Sequence, residues 1–413
     1  MALVMSTPAF PDNIQGVTFS SLAETFGTPL YIYDAATISR KIGIMRQLFE
    51  NIRIKYAAKA LTNLSILRYM RLQGVGVDVV SIQEAEIALM AGFLPQDIMF
   101  TPNCVSFDEI VQGVELGLTI NLDNLIMLEK FGAKYGDKVH CVLRLNPDIL
   151  AGGNYKISTG HSHSKFGISV HSMDEVRALV SRYRVNLAGL HIHTGSEITD
   201  IDVFMKMADI LFGLAKEFKS LRFLDFGGGL KVAYKPGDTS TDVAELGRRL
   251  SLAFRDFNDR ENRDLQLWME PGKFLVSEAG YLLVKVNVVK PTPKVTFVGV
   301  DSGLNHLIRP MMYDAYHTIT NVSNSHGSKK SYWVVGNVCE TDTFAHDREL
   351  NEVREGDLLL IHNAGAYGYS MASNYNSRFR PAEVLIVDGQ AKLIRKRDTL
   401  DQLLAGQIDI FRS

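Results

Sequence analysis

The chain has 413 residues, 46% of them hydrophobic, enough for more than one core, so two domains or one large barrel with a smaller module are expected. Lysine and arginine total 44 against 46 for aspartate and glutamate, a net charge of −2; this argues against nucleic acid and anionic membranes as partners and leaves small molecules or a second copy of the chain. Three cysteines, Cys104, Cys141 and Cys339, are too few for a disulfide framework, the N-terminus lacks a basic leader start, and no apolar run approaches bilayer length, so a cytoplasmic chain is expected.

The first strand-like segment is TPLYIYD, residues 28 to 34, which precedes the main repeat of elements and is expected to join the later β-domain. From residue 52 to 275, strand-like runs alternate with helical patterns. The runs are Ile52 to Ala58, Gly76 to Val80, Ile98 to Thr101, Leu118 to Asn121, His140 to Leu145, Leu187 to His191, Arg222 to Phe226 and Leu265 to Met269. Between them, Ser-x-x-Glu capping boxes at Ser81/Glu84, Ser106/Glu109 and Ser172/Glu175 mark helix starts, serine and glutamate satisfying each other's unpaired amides. Eight such units suit an α/β fold of the (β/α)8 TIM barrel type, which takes about 250 residues; a doubly wound open sheet is the competing layout. After Glu278 the texture turns to β-branched runs, YLLVKVNVV, KVTFVGV, SYWVVGNV, DLLLIH and AEVLIVDGQAKLIRK, the last with an Asp388-Gly389 hairpin signal. A polar stretch at 322 to 331 reads as a loop. The expected organisation is a barrel over 36–275 and an antiparallel β-domain formed by 276–413 together with 1–35.

In a barrel of this kind, polar residues at the C-terminal strand ends form the site. Reading those ends in order gives Lys59, Asp78, Ser81, Asn103, Asn121, Arg144, Asn146, His191, His193, Gly227 to Gly229 and Glu270. Ile54, Tyr56 and Ala58 alternate with Lys55 and Ala57, so the first run reads as a strand that ends in Lys59, whose amine either snorkels to water or takes part in chemistry. The glycines of LDFGGGL remove every Cβ, forming either a tight turn or a cradle of backbone amides for phosphate. His191 and His193 form a His-x-His pair. Zinc binding is the rival reading, but no further histidine or aspartate marks the other strand ends where such sites find their ligands, so no metal is assigned. His191 then reads as a packed histidine and His193 as a ring lying flat against an aromatic ligand. Glu270 of WMEPGK is either a structural ion-pair partner or a carboxylate that keeps a proton on a ligand's ring nitrogen, and Gly272 adds another amide. These parts fit together around pyridoxal 5'-phosphate: an amine for the aldehyde, glycines and Ser196 for the phosphate, an imidazole for the ring and a carboxylate for its nitrogen.

YAAKA around Lys59, HIHTGSE, FGGGL, EPGK, RPMMYDAYH, NVCETD and GAYGYSMASNYNSRFRP occur in this order from about residue 28 to 385. Together they resemble the diaminopimelate decarboxylases, within the fold type III pyridoxal-phosphate enzymes that include alanine racemase and ornithine decarboxylase. The resemblance implies a barrel plus a β-domain, in a head-to-tail homodimer with shared active sites. It matches Lys59 to the lysine that bonds to the cofactor, His193 to the ring-stacking histidine, Ser196 and Gly227, Gly228 and Gly229 to phosphate contacts, and Glu270 to the partner of the pyridine nitrogen. Pro271, Gly272 and Lys273 come next beside the cofactor, and Tyr367 matches a residue touching phosphate and substrate. Arg309 and Tyr313 match groups holding the distal carboxylate, Glu340 a reader of the distal amine, and Cys339 the acid that returns a proton to the α-carbon, Cys339 and Glu340 coming from the neighbouring subunit. Glu340 and Asp342 are expected to disfavour a thiolate at Cys339. Two departures from the family pattern are Lys273, where arginine is usual and would grip a carboxylate bidentately, and Thr341, where serine is usual. The implied reaction is decarboxylation of meso-2,6-diaminopimelate to L-lysine, the last step of that biosynthesis. The alternatives are decarboxylation of ornithine, arginine or carboxynorspermidine, a racemase, which would want a tyrosine base across the ring, or a non-catalytic relative.

Overall fold

The computed structural model describes residues 12–152 and 159–411; the start of the N-terminus, where a leader was not expected, lies outside them. The chain divides into two compact units, Ser39–Val232 with Thr239–Leu275, and Met1–Ile38 with Ala233–Asp238 and Val276–Ser413.

The strand Leu30–Asp34 (β1) precedes eight parallel strands: Arg53–Ala57 (β2), Gly76–Val79 (β3), Ile98–Phe100 (β4), Thr119–Leu122 (β5), His140–Asn146 (β6), Asn186–Ile192 (β7), Phe223–Asp225 (β8) and Gln266–Met269 (β9). Their order is β7-β8-β9-β2-β3-β4-β5-β6, and β6 pairs back with β7, closing the barrel. Closure decides against the open sheet. A short strand at Ile168–Ser169, which the sequence does not announce, adds to β6.

The alternation seen in residues 54 to 58 does not correspond to one wet face, since Ile54, Lys55, Tyr56 and Ala57 are all buried. Strands of a parallel barrel are covered outside by helices and inside by one another, so both faces are dry. The interior includes Met99, Val142, Ala188, Phe223 and Trp268, the last two stacked with centroids 3.6 Å apart. The helix Val243–Glu261 shows the outer layer's logic: Val243, Leu246, Leu250, Phe254 and Phe257 are buried at spacings of three and four.

Two of the three capping serines act as expected, Ser81 accepting from Glu84 N and Ser106 from Glu109 N. The reciprocal half of the expected box differs: Glu84 accepts from Val80 N, one residue before the capping serine, at 2.9 Å. At Ser172 the box does not form: a 3-10 turn over Val170–Ser172 leads into the helix and is capped by Ser169 instead.

The second unit carries Gly280–Pro291 (β10), Thr296–Val300 (β11), Ile319–Asn321 (β12), Lys329–Val335 (β13), Thr343–Asn351 (β14), Leu358–Ile361 (β15), Ala382–Val387 (β16) and Gln390–Arg395 (β17). Its main path is β14-β13-β11-β10-β1-β16-β17, with β15 joining β10 to β12. The expected antiparallel domain therefore contains two parallel pairings, β11 with β13 and β1 with β16. The N-terminal strand β1 lies between β10 and β16, as expected for TPLYIYD. The core of this sheet gathers Phe19, Leu22, Leu30, Ile32, Leu283, Leu360, Val384 and Ile386. Asp388 and Gly389, at φ 51° and 71°, turn β16 into β17 with Val387 opposite Gln390, the two-residue hairpin that needs left-handed backbone at both positions. The polar stretch is a loop only over 322–328, because Lys329 already belongs to β13.

Candidate active site

The mouth of the barrel is built from strand ends and the turns that leave them. Strand β2 stops at Ala57, so Lys59, expected at the strand end itself, sits two residues beyond it in a 3-10 turn, Ala58–Ala60. Its amine lies 3.8 Å from Asp78 Oδ2 on β3, with the Lys59 side chain 38% exposed and Asp78 buried. The lysine therefore stands at the rim over a dry carboxylate.

Across the barrel, β7 and β9 bring His191 Nε2 to 3.2 Å from Glu270 Oε2. The amide of Asn121 on β5 lies 3.0 Å from His191 Nδ1; as a donor there, it leaves the ring proton on Nε2, facing the carboxylate. Burial lowers the pKa of His191 and keeps the ring neutral. Burial works against a charge on Glu270 too, but the ring proton of His191 and the Lys59 amine outweigh it and hold the carboxyl at about 2. Glu270 is thus ionised, and its Oε1 is buried without a hydrogen-bond partner among the described residues.

Asp225, at the end of β8, was not among the sequence candidates. Its Oδ1 accepts from Gly227 N at 2.8 Å, and its carboxylate, His191 and Glu270 offer atoms within 4.8 Å of one another. Burial first, then the neighbouring Glu270, raise its pKa well above the ordinary carboxylate range. Asp78 is raised to about 8 by the same two causes in the same order, against the pull of Lys59. Carboxylates packed this closely do not all ionise; here the charge resides on Glu270. Arg144, also buried, covers the Phe166 ring at 4.5 Å.

The glycine run forms a tight cradle. A Cβ on Gly228 would lie 2.5 Å from Glu270 O, and one on Gly227 2.8 Å from His193. Gly227 and Gly229 have φ of 61° and 101°, which glycine adopts without strain. Two of the three amides are already engaged, Gly227 N by Asp225 and Gly228 N by His193 Nδ1 at 3.3 Å; among the described residues only Gly229 N is left for an anion. The segment holding Ser196 runs alongside, Ile198 N donating to Gly229 O at 2.9 Å. Ser196 is half-buried there. His193 is neutral, its pKa brought well below normal by burial and then by Lys59 and Arg144.

Pro271 and Gly272 come directly after Glu270, and a Cβ on Gly272 would meet Ala57 Cβ and Ala60 Cβ, each at 3.2 Å. Lys273, buried, donates to Glu197 Oε1 at 2.8 Å. The cation standing at the family's arginine position thus has an internal counter-ion, which nothing in the sequence had identified. Glu197 holds φ at 64°, uncommon for a non-glycine residue.

The second unit holds the remaining candidates. Arg309 opens the helix Arg309–Tyr313 and is buried, its guanidinium 5.4 Å from the Tyr234 ring and 5.9 Å from that of Tyr313. Its Nε is buried with no hydrogen-bond partner among the described residues. Tyr367 is half-buried with φ at 55°. Cys339 and Glu340 are exposed. The expectation that acidic neighbours disfavour the thiolate is corrected: the hydrogen bond from Asn376 lowers the thiol's pKa, with Glu340 opposing more weakly. Asp342 is turned away, its two oxygens accepting from Leu304 N at 2.6 Å and Val338 N at 3.1 Å.

Comparison with known proteins leads the same way. Residues 35–277 match the family described as "Pyridoxal-dependent decarboxylase, pyridoxal binding domain". The chain is 37% identical to the diaminopimelate decarboxylase of Methanothermobacter thermautotrophicus, covering 95% of each. It is also 37% identical to that of Escherichia coli K12, over 93% of this chain and 94% of the relative. The solved structure of diaminopimelate decarboxylase from M. jannaschii in complex with L-lysine superposes with a TM-score of 0.87 at 35% identity, covering 95% of each chain.

Proposed function

This chain belongs to the diaminopimelate decarboxylases, and from that membership we propose that the barrel mouth binds pyridoxal 5'-phosphate and carries out the family's reaction. It is a pyridoxal-dependent amino-acid decarboxylase that removes one carboxyl group of diaminopimelate as CO2 and leaves lysine. In our reading the substrate is the meso isomer, the carboxyl lost is that of its D centre, and the product is the L-lysine that closes its biosynthesis.

The residues present fit the cofactor. The observation that carries the reading is Glu270: an ionised carboxylate, buried, with one oxygen unpartnered in a site that also holds an exposed amine. Such an oxygen suits a protonated ring nitrogen. Gly228, whose Cβ would strike Glu270 O, supports a cradle closed to any side chain. Lys59 would hold the aldehyde, Gly229 N with Ser196, Gly272 and Tyr367 the phosphate, with Gly227 and Gly228 keeping the cradle clear of side chains, and His193 the ring face. When bound, the cofactor supplies an electron sink for the pair released as CO2 leaves.

The chain's own residues do the rest. Glu270, at about 2, stays ionised through the neutral range and holds a proton opposite itself. The neutral His193 can lie against an aromatic face without bringing a competing charge. Arg309 and Tyr313 would take the distal carboxylate, and the unpartnered Arg309 Nε supports this. Lys273 is shared with Glu197, so it serves less as a grip on substrate than an arginine would. Cys339 would deliver a proton to the carbon that has lost its carboxylate, Glu340 would pair with the distal ammonium, and both would come from a second copy of the chain in a homodimer. We place the reaction in the cytoplasm, consistent with three unpaired cysteines.

Discrimination follows from burial. A diamine precursor without the far carboxylate would leave the Arg309 guanidinium unpaired, a larger penalty than a missing methylene imposes. The test is CO2 release by the purified chain with pyridoxal phosphate and meso-diaminopimelate, ornithine, arginine or carboxynorspermidine in parallel. Lysine formed from the first alone supports the reading; no release from it overturns the reading.

A further inference from the structure

The turn at 374–378 holds two consecutive non-glycine residues in the left-handed region, Asn376 at φ 56° and Ser377 at φ 54°. L residues adopt such a run only where their surroundings impose it. Here Asn374 Nδ2 donates to Arg378 O at 2.9 Å and to Asp398 Oδ2 at 2.8 Å, and Arg378 Nη2 donates to Asn337 O at 2.7 Å. The strained turn is therefore tied down on both sides, and what it presents is the Asn376 side chain. Its Oδ1 accepts from Cys339 N at 2.9 Å, while its Nδ2 donates to Cys339 Sγ at 3.1 Å. The adjacent Tyr375 donates its hydroxyl proton to Glu340 Oε1 at 2.8 Å and stands 3.7 Å from Sγ. A tyrosine hydroxyl has one proton, so with that proton directed to Glu340 its oxygen faces the thiol as an acceptor.

We propose that Asn376 and Tyr375 are positioning residues for Cys339: Asn376 brackets the sulfur and stabilises its deprotonated form, and Tyr375 couples it to the Glu340 carboxylate. The proposal rests on the reading of Cys339 as proton donor. Replacing a carboxylate by hydrogen takes up one proton: the C–C bond breaks to release CO2, the carbon gains the proton of Cys339, and the thiolate regains one from water. Each turnover thus passes through a charged sulfur, which needs a fixed N–H donor in place of the lost proton. The lowered pKa of the thiol, to which the Asn376 contact contributes most, agrees. The charged and titratable groups on the segments packed around it are Glu340, Tyr375, Arg378 and Asp342, the last turned onto backbone amides.

The experiment follows alkylation of Cys339 by iodoacetamide against pH in the holoenzyme. It uses a Cys104→Ser background, since Cys141 is buried and Cys104 is the other exposed thiol. Asn376→Ala is expected to move the midpoint up by about one pH unit and slow alkylation at pH 7 about tenfold. The alkaline side of the kcat profile should move with it. Asn376→Asp keeps the shape and the acceptor but loses the donor, so it should shift the same way; it serves if the alanine variant does not fold. Tyr375→Phe removes an acceptor that favours the protonated thiol, so it should leave the midpoint in place or lower it slightly. A midpoint unchanged in a folded Asn376 variant overturns the proposal. Full turnover by Cys339→Ala would instead overturn the reading of that cysteine as donor, while the thiol titration still decides whether the bracket exists.

Discussion

Two buried carboxyl groups near the barrel mouth, Asp225 and Glu270, should respond in opposite ways to the same amide substitution. Asp225 holds its proton because burial and the charge on Glu270 both oppose ionisation, whereas Glu270 is ionised at about 2. Asn is close in shape to a protonated Asp and keeps an oxygen for Gly227 N. Asp225→Asn should therefore leave kcat within a few-fold, while Glu270→Gln removes the one charge and should lower kcat about 10²-fold or more. Stability supplies a second readout in the cofactor-free chain. A folded-state pKa raised above the unfolded value means that the unfolded chain releases a proton the native state retains. Stability is then full below about 4 and falls as pH rises toward the native value. Each pH unit in that window costs at most about 1.4 kcal/mol, so between pH 6 and 8 the wild type should lose up to about 3 kcal/mol that Asp225→Asn keeps. For a barrel of this size that is about 5–10 °C in the gap between melting temperatures, read by calorimetry at the two pH values. Should Asp225→Asn lose activity as steeply as Glu270→Gln, with no widening of the gap, the placement of the proton on Asp225 is refuted.

Other outcomes are as direct. Lys59→Ala should abolish the visible absorbance of the bound cofactor, and an unchanged band would remove the lysine from its role. Gly228→Ala forces a Cβ to within 2.5 Å of Glu270 O, a backbone atom that cannot swing away; it should weaken cofactor binding at least tenfold and cost about 1–3 kcal/mol of stability in denaturant titration. Wild-type affinity would contradict the cradle. Arg309→Ala should raise KM for diaminopimelate by about 10² or more with a smaller change in kcat, as for a group that binds ground and transition states alike. A kinetic defect confined to kcat would assign Arg309 to the reacting carboxylate instead.

The barrel was legible because its signals are local. Strand length and apolar runs repeat eight times over, two of the three capping serines mark helix starts between them, and closure needed only β6 to meet β7. Ser172 misled because a cap depends on the backbone entering the helix, and there a 3-10 turn takes the serine's place. The parallel pairings in the β-domain were invisible because the sequence shows which runs are strands but not which neighbours they choose across the fold. In the site, Lys59 and Glu270 stand next to turn-forming motifs and were readable. Asp225 was not, being one acid inside the apolar run LDF whose meaning appears only when Gly227 N and Glu270 are found beside it. Glu197 and Asn376 were hidden for the same reason: each acts through a partner 76 or 37 residues away.

Lys55 and Lys59 show how little residue type alone decides. They lie four positions apart on the same strand and the turn that leaves it, yet Lys55 is fully buried, its amine donating to Asp97 O at 2.8 Å and lying 4.6 Å from the Trp268 ring. Burial lowers it to about 8, the neighbouring Arg53 adding to the effect, so it gives up its proton more readily than a lysine in water. It has no access to a substrate. A parallel barrel gives its two ends different fates: at the N-terminal end the side chains are sealed by the layer of Phe223 and Trp268, while at the C-terminal end the chain turns outward and exposes the residues of the turn. Lys59 reaches the barrel mouth because strand β2 stops two residues before it. Which side chains reach the mouth in this fold is therefore selected by where a strand ends, and the buried carboxyl groups there are fixed by the same geometry, since Asp78, Asp225 and Glu270 are each drawn from the last residues of their own strand or the step after it.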